Sequence, residues 1–580
     1  MKAPTPGKSV QELIDIGLSH HNASKIEDAL RCYQEALQIS PENPDALHFL
    51  GVAYHQLQNN DLALQFLEKA VPLKSNNSDV FNHYGSVLLT VPNLKMAEHA
   101  FRKAIQLRPL NAEALFNLGN LIISSHDLGH NLEEMGIERA NEAVRLLTIA
   151  TNQQPQQLLW QVKLAQSMIE LGDKKKAQEI LNQVVKIKPD LAEAYFVRAQ
   201  TRTQGGDLLK CVILNPTSHR AINNLGFLRL RQGDLKTVVP LFEKATKLAQ
   251  DDPAVRWGLA NGLLATGNLL SGWKEARWRH KKPELFAERS GLPKEWDGEK
   301  LQNGKLLVYQ EQGIGDELRF ASCFDDLTKI ASVHCVVETD ARLLPLFSRS
   351  FPKIEFIEKL PRSEENITKI DFASLVKKHG LTAHTALGDL PMHLRPSIES
   401  FSTNNSYLTP NSSHSDIWHK RLNSLGSTKK IGFCWNTALP HKKYDDYFFS
   451  IKELAPIFSL KKLSMVNLQP TECEIELKAA EQEFGINIYR PEEIDMFNDL
   501  DQVSALIKEL DFVIGPMTAV ISMAGAVGTR CFGLNLHKDW TCLGTNRQPW
   551  TPSMTCFYKE TANSWNPIMT KIAGLINSQP

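Results

Sequence analysis

An excess of charge of one sign, paired cysteines and long apolar runs are all missing from this sequence. Lys+Arg and Asp+Glu both number 65, so no basic stripe for nucleic acid and no face for an anionic membrane is expected. The nine cysteines are scattered and never spaced Cys-x-x-Cys, which excludes a disulfide framework and a zinc knot. They read as buried thiols in a reducing compartment. No run approaches the roughly 20 apolar residues of a membrane helix. Residues 1–10 carry lysines without an apolar core, so no signal peptide is expected and a cytoplasmic location is. The phosphate loop, the Gly-x-Ser-x-Gly elbow and His-Glu-x-x-His are absent. Without a carboxylate cluster, neither a metal site nor a resident cofactor is expected.

What is present is a long, ordinary globular composition. A chain of 580 residues, 42% hydrophobic and 22% charged, exceeds one core and has little call for disorder. The first half is a repeat. Gly17, Ala29, Tyr33, Ala36 and Pro41 recur as Gly51, Ala63, Leu67, Ala70 and Ser75, and again as Gly85, Ala97, Phe101, Ala104 and Pro109. The shift of 34 is the period of tetratricopeptide (TPR) helix pairs. Small residues let the two helices of a pair cross closely, and proline marks the exit because it cannot continue a helix.

Later copies are less regular. The fourth starts at Leu115, Leu118 and Gly119 and resumes only at Ala143, with an insertion over 124–134 expected as a loop or a longer helix. The fifth uses Ala165, Ala177, Leu181 and Pro189. The sixth, Tyr195–Pro216, is about two helical turns short, and a kink is expected there. Gly226, Phe242 and Ala245 mark a seventh copy, and Trp257–His280 an eighth. Trp273 and Trp278 are expected to staple its last helix onto the C-terminal half of the chain. A solenoid of this kind offers a concave face to a protein or peptide partner.

Beyond Pro283, Pro293 and Trp296 the pattern becomes short apolar runs alternating with helical ones, which predicts parallel sheets. Strands are expected over 305–309, 333–338, 354–357, 430–434, 463–468, 486–489, 512–515 and 530–533. A Ser/Asn/Thr/Pro-rich interval, 384–427, divides them into two sets. Glycine turns at Gly313/Gly315 and at Gly515 fall at strand ends, where doubly wound sheets bind ligands. Each precedes a helix whose first N–H groups attract anions.

Several runs carry a family resemblance. Leu306–Ala321 (LLVYQEQGIGDELRFA), preceded by GWKEARWR and EWDGEKL, resembles the junction of TPR-linked bacterial glycosyltransferases related to the heptosyltransferases. Lys430–Lys443 (KIGFCWNTALPHKK), Leu500–Gly528 and Asn546–Tyr558 are similar to that family's second domain in order and spacing. The repeat predicts an all-α TPR solenoid over 8–280 with about eight helix pairs, the fourth and sixth irregular, followed by a linker over 281–303, and the resemblance implies a GT-B module beyond it. Its acceptor-side α/β domain would cover 304–425, and its donor-side α/β domain 426–580 with a closing helix.

The resemblance also implies a nucleotide-sugar donor as substrate, with Asp316 as general base toward the acceptor hydroxyl. Trp435 would stack on the nucleobase, and Asn436 would bond to the donor. Lys442 and Lys443 would neutralise the diphosphate, and Gly515, Thr518, Ala519 and Ser522 would line the phosphate-binding helix start. The sequence departs from the family pattern at Met517, where an acid is usual, at Ser522, where a histidine is usual, and at Phe449, which replaces arginine. Two readings are open: a glycosyltransferase acting on a protein held by the TPR array, and a TPR scaffold whose GT-B module no longer catalyses.

Overall fold

The computed structural model describes residues 8–91, 93–126, 134–201, 205–282, 287–301, 304–331, 334–360, 369–426, 428–437, 447–559 and 564–578. The chain divides into two compact units, one up to Asn215 and one from Pro216 on.

The first unit is a ladder of antiparallel helix pairs, beginning Val10–Asn22 with Ile26–Ile39, then Pro44–Gln56 with Asn60–Leu73, and Ser78–Thr90 with Leu94–Leu107. The repeat spacing has a direct steric cause. A side chain on Gly17 would collide with the Tyr33 ring, one on Gly51 with Leu67 and one on Gly85 with Phe101. Each glycine therefore accepts the bulky residue 16 positions on, from the facing helix of its own pair. Asparagine supplies the punctuation. Asn43, Asn77 and Asn111 each accept a first-turn backbone N–H at the start of the next pair. The fourth pair is Ala112–His126 with Glu134–Gln153, so the second helix is lengthened to 20 residues; part of the insertion lies outside the described residues. The sixth copy has helices of 7 and 9 residues, Ala192–Arg198 and Gly206–Leu214, joined by the largely buried pair Arg198–Asp207.

The second unit opens with two more helix pairs, His219–Arg231 with Leu235–Leu248 and Pro253–Ala265 with Leu269–Ala276, closed by the 3-10 turn Arg277–Lys281. It continues into an α/β region of two parallel sheets. The first contains β2 (Lys294–Glu295), β3 (Lys305–Tyr309), β4 (His334–Thr339), β5 (Ile354–Glu358) and β7 (Ala383–Ala386) in the order β2-β7-β3-β4-β5. A separate two-stranded ribbon pairs β1 (Glu288–Ser290) with β6 (Lys369–Asp371). The second sheet holds β8 (Lys429–Phe433), β9 (Leu463–Asn467), β10 (Ile488–Tyr489), β11 (Phe512–Pro516), β12 (Cys531–Asn535) and β13 (Met554–Tyr558). Its order is β10-β9-β8-β11-β12-β13, the doubly wound arrangement in which the strand order reverses between the first and fourth strands. Five strands, β1, β2, β6, β7 and β13, had no counterpart among the sequence-predicted ones.

One apolar cluster runs through this unit. Leu264, Leu269 and Trp273 of the last helix pair share it with Leu306 and Val308 of the first sheet and Val466 and Val513 of the second. Trp273 donates its indole N–H to the Arg395 carbonyl at 2.9 Å and meets Trp540 and Trp550 edge-on. It is the expected staple. Trp278 lies instead under Arg256 and Lys281 of its own repeat. No helix among the described residues is long and apolar enough to cross a membrane.

Candidate functional site

The strand order of the second sheet reverses between β8 and β11, and a crevice beyond their carboxyl ends is the ordinary consequence. Chain turns after both strands enter it, and so does a turn from the other lobe. After β3 the chain passes Gly313 into the helix Ile314–Phe320; after β11 it passes Thr518 into the helix Ala519–Val527. Neither helix start has a side-chain cap, which leaves first-turn N–H groups for another acceptor. The two helices pack on one another. Gly315 sits so close that an added methyl would make ordinary contact, at 3.9 Å, with Ala519 N and Ser522 Oγ. Gly315 of one lobe is thus brought against Ala519 and Ser522 of the other, while Gly313 has no neighbour within 4 Å of an added methyl and Asp316 turns to Arg319. Beside them lies a cleft of about 580 Å³, walled by Ile314, Leu318, Asn436, Thr518, Ala519 and Phe497 among others.

The two acids of the first helix have opposite surroundings. Asp316 is a third exposed, and its carboxylate accepts from Arg319 Nη1 at 2.5 Å. That guanidinium in turn lies 5.4 Å from the centre of the Trp540 ring. Glu317 is buried, and accepts from Thr339 Oγ1 at 2.7 Å, Asp340 N at 3.1 Å and Gln310 Nε2 at 3.0 Å. Burial pushes its carboxyl above the usual range despite these bonds. Glu338 behind it is pushed up to about 7 by burial.

Across the cleft, Arg342 of the first lobe holds Asp340 through Nε at 2.8 Å and Nη2 at 3.0 Å, which keeps that carboxyl well below its ordinary value. The same guanidinium lies 4.7 Å from the Phe497 ring and donates to the Phe497 carbonyl at 3.3 Å. Arg342 and Phe497 therefore join the two lobes at the cleft, and neither stood out in the sequence.

Trp435 requires a correction. Its side chain is 3% exposed and packs with Phe433, Phe449 and Trp565 in the core below the second sheet. Its ring stacks on Phe433 at 5.8 Å and 23°. No face is left for a nucleobase. The signal was available: Phe433 and Trp435 are two apart at a strand end, where alternate side chains share a face. Asn436 does line the cleft, with its backbone N–H and that of Trp435 both donating to the buried Gln469 Oε1. Gln469 is a further organising residue that sequence reasoning missed.

A side chain on Gly515 would collide with Cys434, so that glycine is needed for close strand packing. Met517, at the position of the family acid, lies against Gly533. Phe449, at the position of the arginine, is buried 6.0 Å from the Trp565 ring. Lys442 and Lys443 fall in 438–446, outside the described residues.

These features define a class: a TPR array continued by a two-lobed α/β region with a crevice at its strand-order reversal. TPR repeat families match residues 17–58, 44–77 and 137–201. The chain is 30% identical over 423 residues to Protein FlbA of Caulobacter vibrioides, an alignment covering 71% of each protein. It belongs to the FlbA family. Among solved structures it is similar to YrrB, a TPR protein, at 22% identity over 32% of this chain and 90% of that one, with a TM-score of 0.27. A TPR protein from Parabacteroides merdae matches at 16% identity over 44% of this chain and 98% of that one, with a TM-score of 0.33.

Proposed function

We propose that this protein is a glycosyltransferase of the GT-B type that works on a protein acceptor held by its TPR array. The observation that carries the reading is the packing of the helix that bears Asp316 on the helix Ala519–Val527, with Gly315 against the uncapped start of the latter at the strand-order reversal of the second sheet. A nucleotide-sugar diphosphate would sit at that helix start, where N–H groups and the helix dipole favour anions. The acceptor hydroxyl would lose its proton to Asp316 as its oxygen attacks the anomeric carbon and the nucleoside diphosphate departs. Charge growing on the leaving phosphate would meet those N–H groups. The TPR array would raise the local concentration of acceptor, and the reaction would take place in the cytoplasm.

The test is a thermal-shift titration of the full chain with ADP-, UDP-, GDP- and CMP-linked sugars. Binding to the folded state raises the melting temperature by mass action. One nucleotide class should give a shift, reduced in Asn436→Ala and in Lys442→Ala/Lys443→Ala. No shift with any of the four would sink the proposal.

The second reading is a scaffold in which the cleft no longer catalyses. It is favoured by Met517, whose thioether cannot accept usefully from a sugar hydroxyl, and by the Arg319 guanidinium closing on Asp316. On that reading Asp316→Asn leaves partner capture and any cellular phenotype intact.

A further inference from the structure

In the first sheet the strand order reverses between β3 and β7, and an open crevice is the ordinary consequence beyond their carboxyl ends. Here the repeat array fills it. Arg279, in the turn that closes the last helix pair, is 3% exposed. Its guanidinium donates to Glu311, just beyond β3, through Nη2 at 2.5 Å and Nε at 3.2 Å. It also lies 2.7 Å from Asp389 Oδ1, just beyond β7. His280 Nε2 approaches the other Asp389 oxygen at 3.1 Å, and Arg277 stands 3.4 Å from it. The side chains of Glu311 and Asp389 are 0% and 4% exposed. Glu311 also accepts the Gly388 N–H at 3.0 Å, and a side chain on Gly388 would press on both Glu311 and Arg279.

The turn that leads to Asp316 is therefore gripped at its base. Glu311 is held by Arg279, while the neighbouring Gln310 is held through its N–H by Glu338 at 3.3 Å and through its amide by Glu317 at 3.0 Å. One residue, Gln312, separates Glu311 from Gly313, which caps the start of the helix that carries Asp316. Without Arg279, Glu311 would keep His280 at 3.5 Å and Asp389 would keep His280 and Arg277, but no group would bridge the two carboxylates, so the strand exits would lose the tie that sets their spacing.

We infer that Arg279 is a positioning residue through which the last TPR repeat sets the geometry of the Gly313–Asp316 turn. The coupling passes through Arg279 itself, so a shift of the turn Arg277–Lys281 that pulls its guanidinium off Glu311 and Asp389 moves the candidate site. The inference rests on the proposed function only for treating that turn as the site.

Hydrogen exchange by mass spectrometry on the full chain tests it with Arg279→Gln, Arg279→Lys and Trp273→Phe. The last of these loosens the same repeat against the lobes without touching the turn. Arg279→Gln should speed exchange over 311–319 by about tenfold or more. Arg279→Lys, which keeps one charge but not the fork, should fall between it and the native chain. Trp273→Phe should leave those amides at their native rate even where it lowers the melting temperature as much. Native exchange over 311–319 in both arginine variants, or equal acceleration in Trp273→Phe, overturns the inference. Should Arg279→Gln not fold, Arg279→Lys against Trp273→Phe decides alone. A nucleotide-sugar titration on the same samples keeps the two readings apart: no shift in the native chain counts against transfer, while the exchange pattern still reports the coupling.

Discussion

Asp316 and Arg319 are joined one helical turn apart at 2.5 Å, with the Arg319 guanidinium 5.4 Å from the centre of the Trp540 ring. The acid proposed as base is thus already part of an ion pair, and an acceptor must approach it on the side that Arg319 leaves open. Asp316→Asn keeps the size of the side chain and its contact with Arg319 but cannot take a proton. Sugar transfer should fall by about 10²–10⁴-fold while nucleotide-sugar binding stays within twofold or so. Steady-state transfer to a captured acceptor, paired with a thermal-shift titration, measures both. Equal loss of binding and transfer would make Asp316 a structural residue.

Glu338 gives the α/β region a pH signature. Its folded carboxyl is raised to about 7 by burial, from an ordinary 4.5. Below the ordinary value both states are protonated and its contribution is complete. As pH rises from there the unfolded chain ionises first, and stability is lost until the folded group ionises near 7. The loss at pH 8 should be roughly 3 kcal/mol. Glu338→Gln should abolish this slope. It should also melt lower at pH 5, because its amide sets a donor against the N–H of Gln310 or of Leu360, both of which Glu338 accepts. Melting curves across pH 5–8 separate the two effects.

How much of this was legible in the sequence depends on the range of the interactions. The glycine and its bulky partner 16 residues on lie within one helix pair, so the repeat could be read off directly. β3 and the helix Ala519–Val527 were legible because each is an apolar segment bounded by its own turn. β7 was not. It is four residues long and places His384 and Thr385 among small side chains, and its pairing with β3 and β2 makes it a strand. The grip of Arg279 on Glu311 and Asp389 joins residues 32 and 110 apart. No local pattern encodes it. The contrast between Asp316 and Glu317 depends likewise on Thr339 and Asp340 from another strand end.

His48 and His83 make the first unit acid-sensitive. Their rings meet at 2.8 Å across neighbouring repeats, between His48 Nε2 and His83 Nδ1. Burial, with His83 and Lys74 nearby, pulls His48 down to about 3. Burial lowers His83 as well, against the carboxylates of Glu113 and Asp79. Folding therefore favours the neutral rings. Above pH 6.5 the contribution is complete, and as pH falls toward 3 the unfolded chain takes up protons that the folded one refuses. At pH 5 the cost from His48 should be roughly 2 kcal/mol. Calorimetry of the full chain should show the first unit's transition falling between pH 7 and 5, and His48→Leu should flatten that fall.

The contacts of the last repeat also predict where the chain can be cut. A fragment beginning at Pro216 keeps Leu264, Leu269 and Trp273 in the apolar cluster they share with both sheets, and keeps Arg279 on its two carboxylates. It should unfold in one cooperative transition. A fragment beginning at residue 282 removes all four side chains. It would expose Trp540 and Trp550, which pack on Trp273, and leave Glu311 and Asp389 without Arg279. Stripping the cation from a buried carboxylate costs about 3–5 kcal/mol, a large part of the 5–15 kcal/mol that holds a typical domain together. The shorter fragment should bind an apolar dye and melt without a sharp transition, whereas the longer one should not. A sharp, dye-free transition in the fragment from 282 would show that the α/β lobes stand without the repeat, and that the ion pairs at Arg279 add little to their stability.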